Sequence, residues 1–372
     1  MNKVKLGELL KIKHGYAFKS ENYVDKSKYA LVTLANISAT NNFQYNKEKT
    51  TFYGADFPKD FILSEDDLIM PLTEQVVGLF GNTAFVPKIS DVTFVLNQRV
   101  GKVVPIEGKA DKYYLHYLLA TNLVKDQLEY RASGTRQRNI SPTDIYDVEV
   151  FVHDIETQRK IGSFLYNIER KINMNNAIND NLEQQIQLIF DYLFPDVCAG
   201  NKHMGDFIIP KRGKSLLSKN AVHGNIPVIA GGLEPSIYHN VANTVAPVVT
   251  ISSSGANAGF VNIWGVPVWS SDSSYIDSEM SQYVYFWYAY LKRHQNNIYN
   301  IQTGSAQPHI YPSHISSLPI TDLDYKKIEE YTKIVSPIFS TITKNHVENQ
   351  HLQSLRDWLL PMLMNGQATI SD

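Results

Sequence analysis

The apolar positions of the chain fall into two kinds of pattern, one long and helical, the other short and strand-like. From Ile161 the sequence places Leu165, Ile168 and Ile172, then Leu182, Ile186, Ile189 and Leu193, in steps of four, three and four. That spacing marks one helix face packed along another helix. A heptad continued through the gap falls on Asn175 and Asn179, so the predicted seam has a polar centre between apolar ends. A second run has the same plan: Ile328, Val335, Phe339 and Ile342, then His346 and Asn349, then Leu352, Leu355 and Leu359, with a register that slips by about one residue. Within it, Ser336-Pro337 reads as an N-cap followed by proline in a first turn, which predicts a break or kink. Two such helices packed antiparallel would bring middle to middle, so that Asn175 and Asn179 face His346 and Asn349. Polar residues at a seam fix register and orientation at some cost in stability.

The remaining apolar runs are short. Ala30 to Leu34, Asp67 to Met70 and Val248 to Ile251 are β-rich stretches bounded by Gly, Asn or Ser, and read as strands. Tyr113 to Leu119 and Tyr283 to Leu291 read as core helices. The second of these is the most apolar run, and it is far short of the ~20 residues that a membrane helix needs. Met1 to Lys5 is not followed by an apolar run, so no signal peptide is expected.

The chain repeats itself, and this governs the rest of the reading. Gly7 and Gly15 are spaced as Gly205 and Gly213 are (15 − 7 and 213 − 205). Ser133-Gly134-Thr135-Arg136-Gln137-Arg138-Asn139-Ile140-Ser141-Pro142 lines up with Thr303-Gly304-Ser305-Ala306-Gln307-Pro308-His309-Ile310-Tyr311-Pro312, at a constant offset of 170 (304 − 134). Each copy is followed by an isoleucine (Ile145, Ile315), a short strand-like stretch (Val148 to Val152, Leu318 to Ile320) and a long helical run. The expected fold class is α+β: two mixed α/β domains in tandem, each followed by a long helix, the helices paired as an antiparallel coiled coil, with an internal pseudo-twofold repeat. The boundaries read as 1–153 for the first domain, 154–195 for the first helix, 196–322 for the second domain, and 323–372 for the second helix and C-terminal tail.

Composition removes several function classes. The formal net charge is −2, from 35 basic and 37 acidic residues, so the chain is no general polycation. Binding to nucleic acid would require its positive charge to be gathered on one surface. The single cysteine, Cys198, can build neither a disulfide framework nor a cysteine metal site, and lies in a linker-like Pro-Asp-Val-Cys-Ala-Gly stretch. The cytosol is the expected compartment. Arg212-Gly213-Lys214-Ser215 resembles the end of a P-loop, but Ile208 stands where that loop needs glycine. No Pro-Pro pair, Gly-x-Ser-x-Gly, His-Glu-x-x-His or EF-hand pattern occurs, and the histidines lack metal-ligand spacing. No catalytic or metal-ligating residue is therefore assigned.

Basic residues cluster at the repeated loops. Lys11, Lys13, His14 and Lys19 crowd the first glycine turn, and Lys211, Arg212 and Lys214 surround Gly213. Arg131, Arg136 and Arg138 flank Gly134. Such residues suit phosphate contacts, while Arg136, Gln137, Arg138 and Gln98, with Arg99 beside it, have side chains of the type that reads base edges. The bland alternative for each is a solvated surface side chain, and Gln137 and Gln307 could instead shape their loops.

This layout resembles the specificity subunits of type I restriction-modification systems, over essentially the whole chain. The resemblance rests on Gly134-Thr135-x-Gln137-x-Asn139-Ile140-Ser141 and its looser copy at Gly304 to Tyr311, and on Gln158-Arg159-Lys160-Ile161 at the start of the long helix. It rests also on Asn97-Gln98-Arg99-Val100 and on the stretch from Leu355 to Gln367. The second loop departs from the pattern, with Pro308 and His309 where Arg138 and Asn139 stand. The resemblance implies two target recognition domains held apart by the helix pair. A rigid spacer of this kind suits a bipartite, asymmetric double-stranded DNA target whose half-sites lie about a helical turn, ~34 Å, apart. It also implies a non-catalytic role, with adenine methylation or cleavage performed by two modification subunits and by restriction subunits. S-adenosylmethionine, ATP and Mg would be expected on those partners and no cofactor on this chain, with no membrane association. Arg159, Lys160, Arg170, Lys171 and Arg356 would lie on exposed helix faces available to the partners. Two other readings stay open: an unrecognised methyltransferase or nuclease, which would act alone with its cofactor, and a protein scaffold, which would show no salt-dependent DNA binding.

Overall fold

In a computed structural model, residues 1–75, 77–304 and 307–370 are described. Ser305 and Ala306, in the second copy of the repeated loop, lie outside the described residues. The chain divides into two compact units, residues 1–171 with 352–372, and residues 172–351. The division passes through both long helices, Ile155–Leu193 and Tyr325–Met364.

The first unit is built on a four-stranded antiparallel sheet. Its spatial order is Leu10–His14, Val100–Pro105, Leu68–Pro71 and Ala84–Phe85. His14 pairs with Gly101, and Pro71 with Val100, so the ends of three strands meet along one edge of the sheet. A second sheet contains Tyr29–Val32 running parallel to Thr93–Leu96. Helix Lys112–Leu119 packs Tyr114, Leu115 and Leu118 into the core, together with Leu6, Leu10, Met70 and Phe80. Full burial of a side chain of this size contributes about 1.5–3 kcal/mol.

The second unit repeats the plan. The order Lys211–Arg212, Ser273–Asp277, Val248–Ser252 and Val261–Trp264 forms its antiparallel sheet. Ile226–Ile229 runs parallel to Trp269–Ser270. Helix Val284–Arg293 is the counterpart of Lys112–Leu119, and its Phe286, Trp287, Tyr290 and Leu291 are buried. In each unit the N-terminal strand pairs antiparallel with the strand before the long helix: Asn2–Lys5 with Glu149–Val152, and Lys202–His203 with Pro319–Ile320.

Both long helices start in the same way. Asp154 accepts from the Thr157 amide at 2.9 Å, and Asp324 from the amides of Lys326 and Lys327 at 3.1 and 3.3 Å. These N-caps stand 170 residues apart (324 − 154) and satisfy donors that a helix leaves open in its first turn. In the second unit the helices run antiparallel. Asn175 donates to Asn349 at 2.8 Å and to Glu348 at 2.7 Å, Asn349 donates to Asn176 at 2.8 Å, and Asn345 donates to Asn179 at 2.7 Å. Within the first unit, Leu359 and Leu363 of the second helix pack in one cluster with Ile161 and Leu165 of the first. There Tyr117 donates to the buried Glu169 at 2.9 Å, and His116 lies 3.5 Å from it. Burial alone would raise the Glu169 pKa, but His116, Tyr117 and Arg356 outweigh it and hold the carboxyl below its usual range.

Two details differ from the pattern expected of the second helix. His346 is exposed, and Asn345 takes the place expected for it opposite Asn179. A three-residue step from Ile342 to Asn345 and a four-residue step from Leu352 to Arg356 move the inward stripe, so Leu355 also turns outward. The helix also continues unbroken through Ser336-Pro337. Pro337 and Lys333, whose carbonyl loses its partner, both lie on the exposed face where water can serve that carbonyl, while Val335, Phe339 and Ile342 stay buried.

Candidate nucleic-acid interface

The site grows out of the glycine turns. In the first unit Gly15 donates to Val100 O at 3.2 Å and lies so close to the next turn that a Cβ would sit 2.0 Å from Asn97 O. Only glycine fits. The turn it touches runs from Asn97 to Val100, closed by Val100 N to Asn97 O at 2.9 Å, with Gln98 and Arg99 exposed at its tip. Leu72, just past its strand, joins the next piece: its amide donates to Arg99 O at 2.9 Å, and its carbonyl accepts from Ile140 N at 3.0 Å. Ile140 ends the loop that Ser133 and Asn139 close by reciprocal backbone bonds of 3.0 and 2.8 Å. Gly134 holds φ +113° inside that loop. One edge of the sheet thus gathers His14, Gln98, Arg99, Arg136 and Gln137, contributed by three separated stretches of sequence.

The other basic residues expected here lie elsewhere or are engaged. Lys11 sits over the Tyr146 ring at 5.3 Å, and Lys13 donates to Asp60 O and lies 5.2 Å from the Phe61 ring centre. Lys19 is exposed near Glu21 at 3.8 Å. Arg131 donates to the carbonyls of Gln127 and Asp147 at 3.1 and 3.3 Å. Arg138, expected at the DNA, faces inward instead. Its Nη1 lies 2.8 Å from Glu74 Oε1, its Nη2 donates to Glu129 O at 2.6 Å, and its guanidinium stands over Phe80. Glu74, 1% exposed, needs that counter-charge, and its other oxygen accepts from the Leu79 and Phe80 amides at 2.9 and 3.2 Å. Gln137 donates to Asn139 at 3.3 Å, and Asn139 in turn accepts from Thr73 at 2.9 Å.

The second unit builds the same edge from different side chains. Gly213 donates to Ser273 O at 2.8 Å, and a Cβ there would lie 2.4 Å from Ser270 O. Ser253 N donates to Asp272 O at 3.1 Å and Ser253 O accepts from Ile310 N at 2.9 Å, as Leu72 does in the first unit. Thr303 and His309 close their loop with bonds of 3.0 and 2.8 Å, and Gly304 holds φ +94°. Lys211, Arg212 and Lys214 surround the turn, all exposed. Arg212 Nη2 lies 2.6 Å from Asp272 Oδ1, and Ser254 Oγ donates to Asp272 Oδ2. Pro308 takes the place of Arg138, and Gly255, whose amide donates to Pro308 O at 3.1 Å, follows Ser254 as Glu74 follows Thr73.

Chemically, each edge offers exposed donors and acceptors on rigid turns, the arrangement needed to meet a polyanion and the edges of bases. Among the described residues no group of three or more His, Cys, Asp or Glu is placed to hold a metal ion. Cys198 is half-buried, and burial pushes its thiol pKa up, away from nucleophilic use. No helix among the described residues is long and apolar enough to cross a membrane.

Residues 1–184 match the family model described as the type I restriction modification DNA specificity domain. These residues belong to that family. A stretch of 193 residues, 51% of the chain, is 24% identical to the type I restriction enzyme MjaVIII specificity subunit of Methanocaldococcus jannaschii. The match spans 44% of that protein, so less than half of the relative's length is represented. A crystal structure of a type I restriction-modification system S subunit from M. genitalium has the same fold, with a TM-score of 0.66 over 97% of this chain and 95% of that one, at 17% identity.

Against this specificity-domain background, four side chains stand out that the sequence pattern did not single out: Glu74, Asn345, Ser254 and Asp272. Asp272 stands where the first unit has Arg99, a correspondence that the backbone contacts show and the sequence repeat does not, since Asn97 to Val100 and Ser270 to Ser273 share no residue. Nothing local marks Glu74, whose partner is 64 residues away (138 − 74).

Proposed function

We propose that the chain is the DNA-specificity subunit of a type I restriction-modification complex. It reads a bipartite, asymmetric double-stranded target and directs adenine methylation or cleavage by partner subunits, with no chemistry of its own. Residues 1–153 and 196–322 serve as the two target recognition domains, and 154–195 and 323–372 as the spacer helices with the C-terminal tail. Two modification subunits and restriction subunits are the partners. S-adenosylmethionine, ATP and Mg act on those partners, in the cytosol.

The observation that carries this reading is the twice-built edge. Two units with the same strand order, glycine contacts and closed loop present different polar side chains at equivalent turns. A duplicated scaffold with diversified tips suits a reader of two unlike half-sites. The net charge of −2 does not oppose this, because binding needs positive charge only at the turns, where Arg99 and Arg136 in one unit and Lys211 and Lys214 in the other are exposed.

The test is to co-express the chain with its neighbouring modification subunit and map methyladenine across the host genome. A bipartite motif with a fixed unread spacer, lost when this chain is deleted, is expected. Methylation that continues unchanged without the chain, or a short continuous motif, overturns the proposal.

A further inference from the structure

The equivalent turns of the two units carry opposite charges. In the first unit the residue whose carbonyl accepts from Leu72 N is Arg99. In the second, the residue whose carbonyl accepts from Ser253 N is Asp272. The residue before the close-approach glycine is His14 in one and Arg212 in the other. Arg99 is exposed, with no side-chain hydrogen bond or ion pair among the described residues. Asp272 has one oxygen on Arg212 at 2.6 Å and the other on Ser254. Each carboxylate oxygen has two acceptor positions, so one remains open on each.

We propose that this turn position is a base-selecting residue in each unit, and that the charge inversion makes the two half-sites chemically different. The inference rests on the DNA-reading function proposed above. Arg99 has a planar fork that matches the paired acceptors O6 and N7 of guanine in the major groove. Asp272 has only acceptors and selects the exocyclic amino group of cytosine, while Arg212 and Ser254 fix the carboxylate plane. Arg212 is thus a positioning residue, spent on Asp272 rather than on phosphate. The first unit therefore requires a guanine, and the second a cytosine, on the strand facing each turn.

The assembled complex with the modification subunit provides the test. Arg99→Ala should relax one guanine in one half of the methylated motif and leave the other half unchanged. Asp272→Asn should relax one cytosine in the opposite half. In binding assays, 7-deazaguanine at the assigned position removes one of the two acceptors and should weaken the wild type several-fold, less than the about 5- to 150-fold of a full bidentate contact, and should have no effect on Arg99→Ala. Arg99→Gln keeps a long polar side chain without the charge or the fork, and should likewise lose the guanine requirement if the alanine variant fails to fold. A motif unchanged at every position, or binding weakened equally on all sequences, overturns the inference and assigns these side chains to backbone contact. Either result leaves the specificity function standing, since that function is judged separately by loss of the motif on deletion of the chain.

Discussion

Glu74 and Arg138 show how a residue of suitable chemistry can be spent on structure. A buried carboxylate costs several kcal/mol unless it is paired, so removing its partner is more damaging than removing both. Arg138→Ala is expected to destabilise the first unit by about 3 kcal/mol, the lower end of that range because Arg138 keeps some solvent contact. Glu74→Gln combined with Arg138→Met should recover most of the loss. The glutamine carbonyl can still accept from the Leu79 and Phe80 amides, and the methionine still covers the Phe80 ring. Hydrogen exchange at those two amides reports the local effect, and urea unfolding followed by circular dichroism reports the global one. If Arg138→Ala leaves stability intact but weakens DNA binding and makes its salt dependence shallower by about one phosphate contact, Arg138 belongs to the interface after all.

The paired helices place a similar decision at the level of an element. Apolar residues on both sides of the polar centre would allow the helices to slide by a turn, because a leucine contact is equally good in more than one register. The hydrogen bonds that Asn175, Asn345 and Asn349 donate across the pair, with Asn179 as one acceptor, form in only one. Asn175→Ala should cost about 1–3 kcal/mol through the unsatisfied Asn349 carbonyl. Asn175→Leu with Asn349→Leu should hold or raise the unfolding midpoint while loosening register. Cysteines introduced at 179 and 345 should cross-link cleanly in the parent background and poorly in that double variant. The sequence predicted the first helix well, since its heptad is unbroken and its inward positions, Asn175 and Asn179 included, are buried or half-buried. It misplaced the second at His346 because a three-residue step is invisible until a partner helix defines which side is inside. Pro337 misled for a related reason: the freed Lys333 carbonyl lies on the exposed face, and the buried Val335, Phe339 and Ile342 hold the helix together across it.

Across the whole molecule, the repeat was legible and the reading surface was not, and the two have different physical origins. Gly15, Gly134, Gly213 and Gly304 are required by backbone geometry, with a Cβ clash or a positive φ at each, so their spacing shows in the sequence whatever else changes. Whether an arginine faces solvent or a buried glutamate depends on a residue in another strand, which no local pattern encodes. The same separation of scaffold from tips has a consequence for function. Each unit has its own apolar core, one containing Leu6, Tyr114 and Leu165 and the other Phe190, Phe286 and Tyr331, so one unit can be replaced without dismantling the other's interior. Exchanging residues 1–150 for the corresponding segment of a chain with another target should therefore change one half of the methylated motif and preserve the other half. Genome-wide methyladenine mapping reads this directly. A motif altered in both halves would mean that base choice is shared between the units, and would remove the ground for treating each edge as an independent reader. A motif altered in neither half would place recognition outside residues 1–150, and with it outside the turn that carries Gln98 and Arg99.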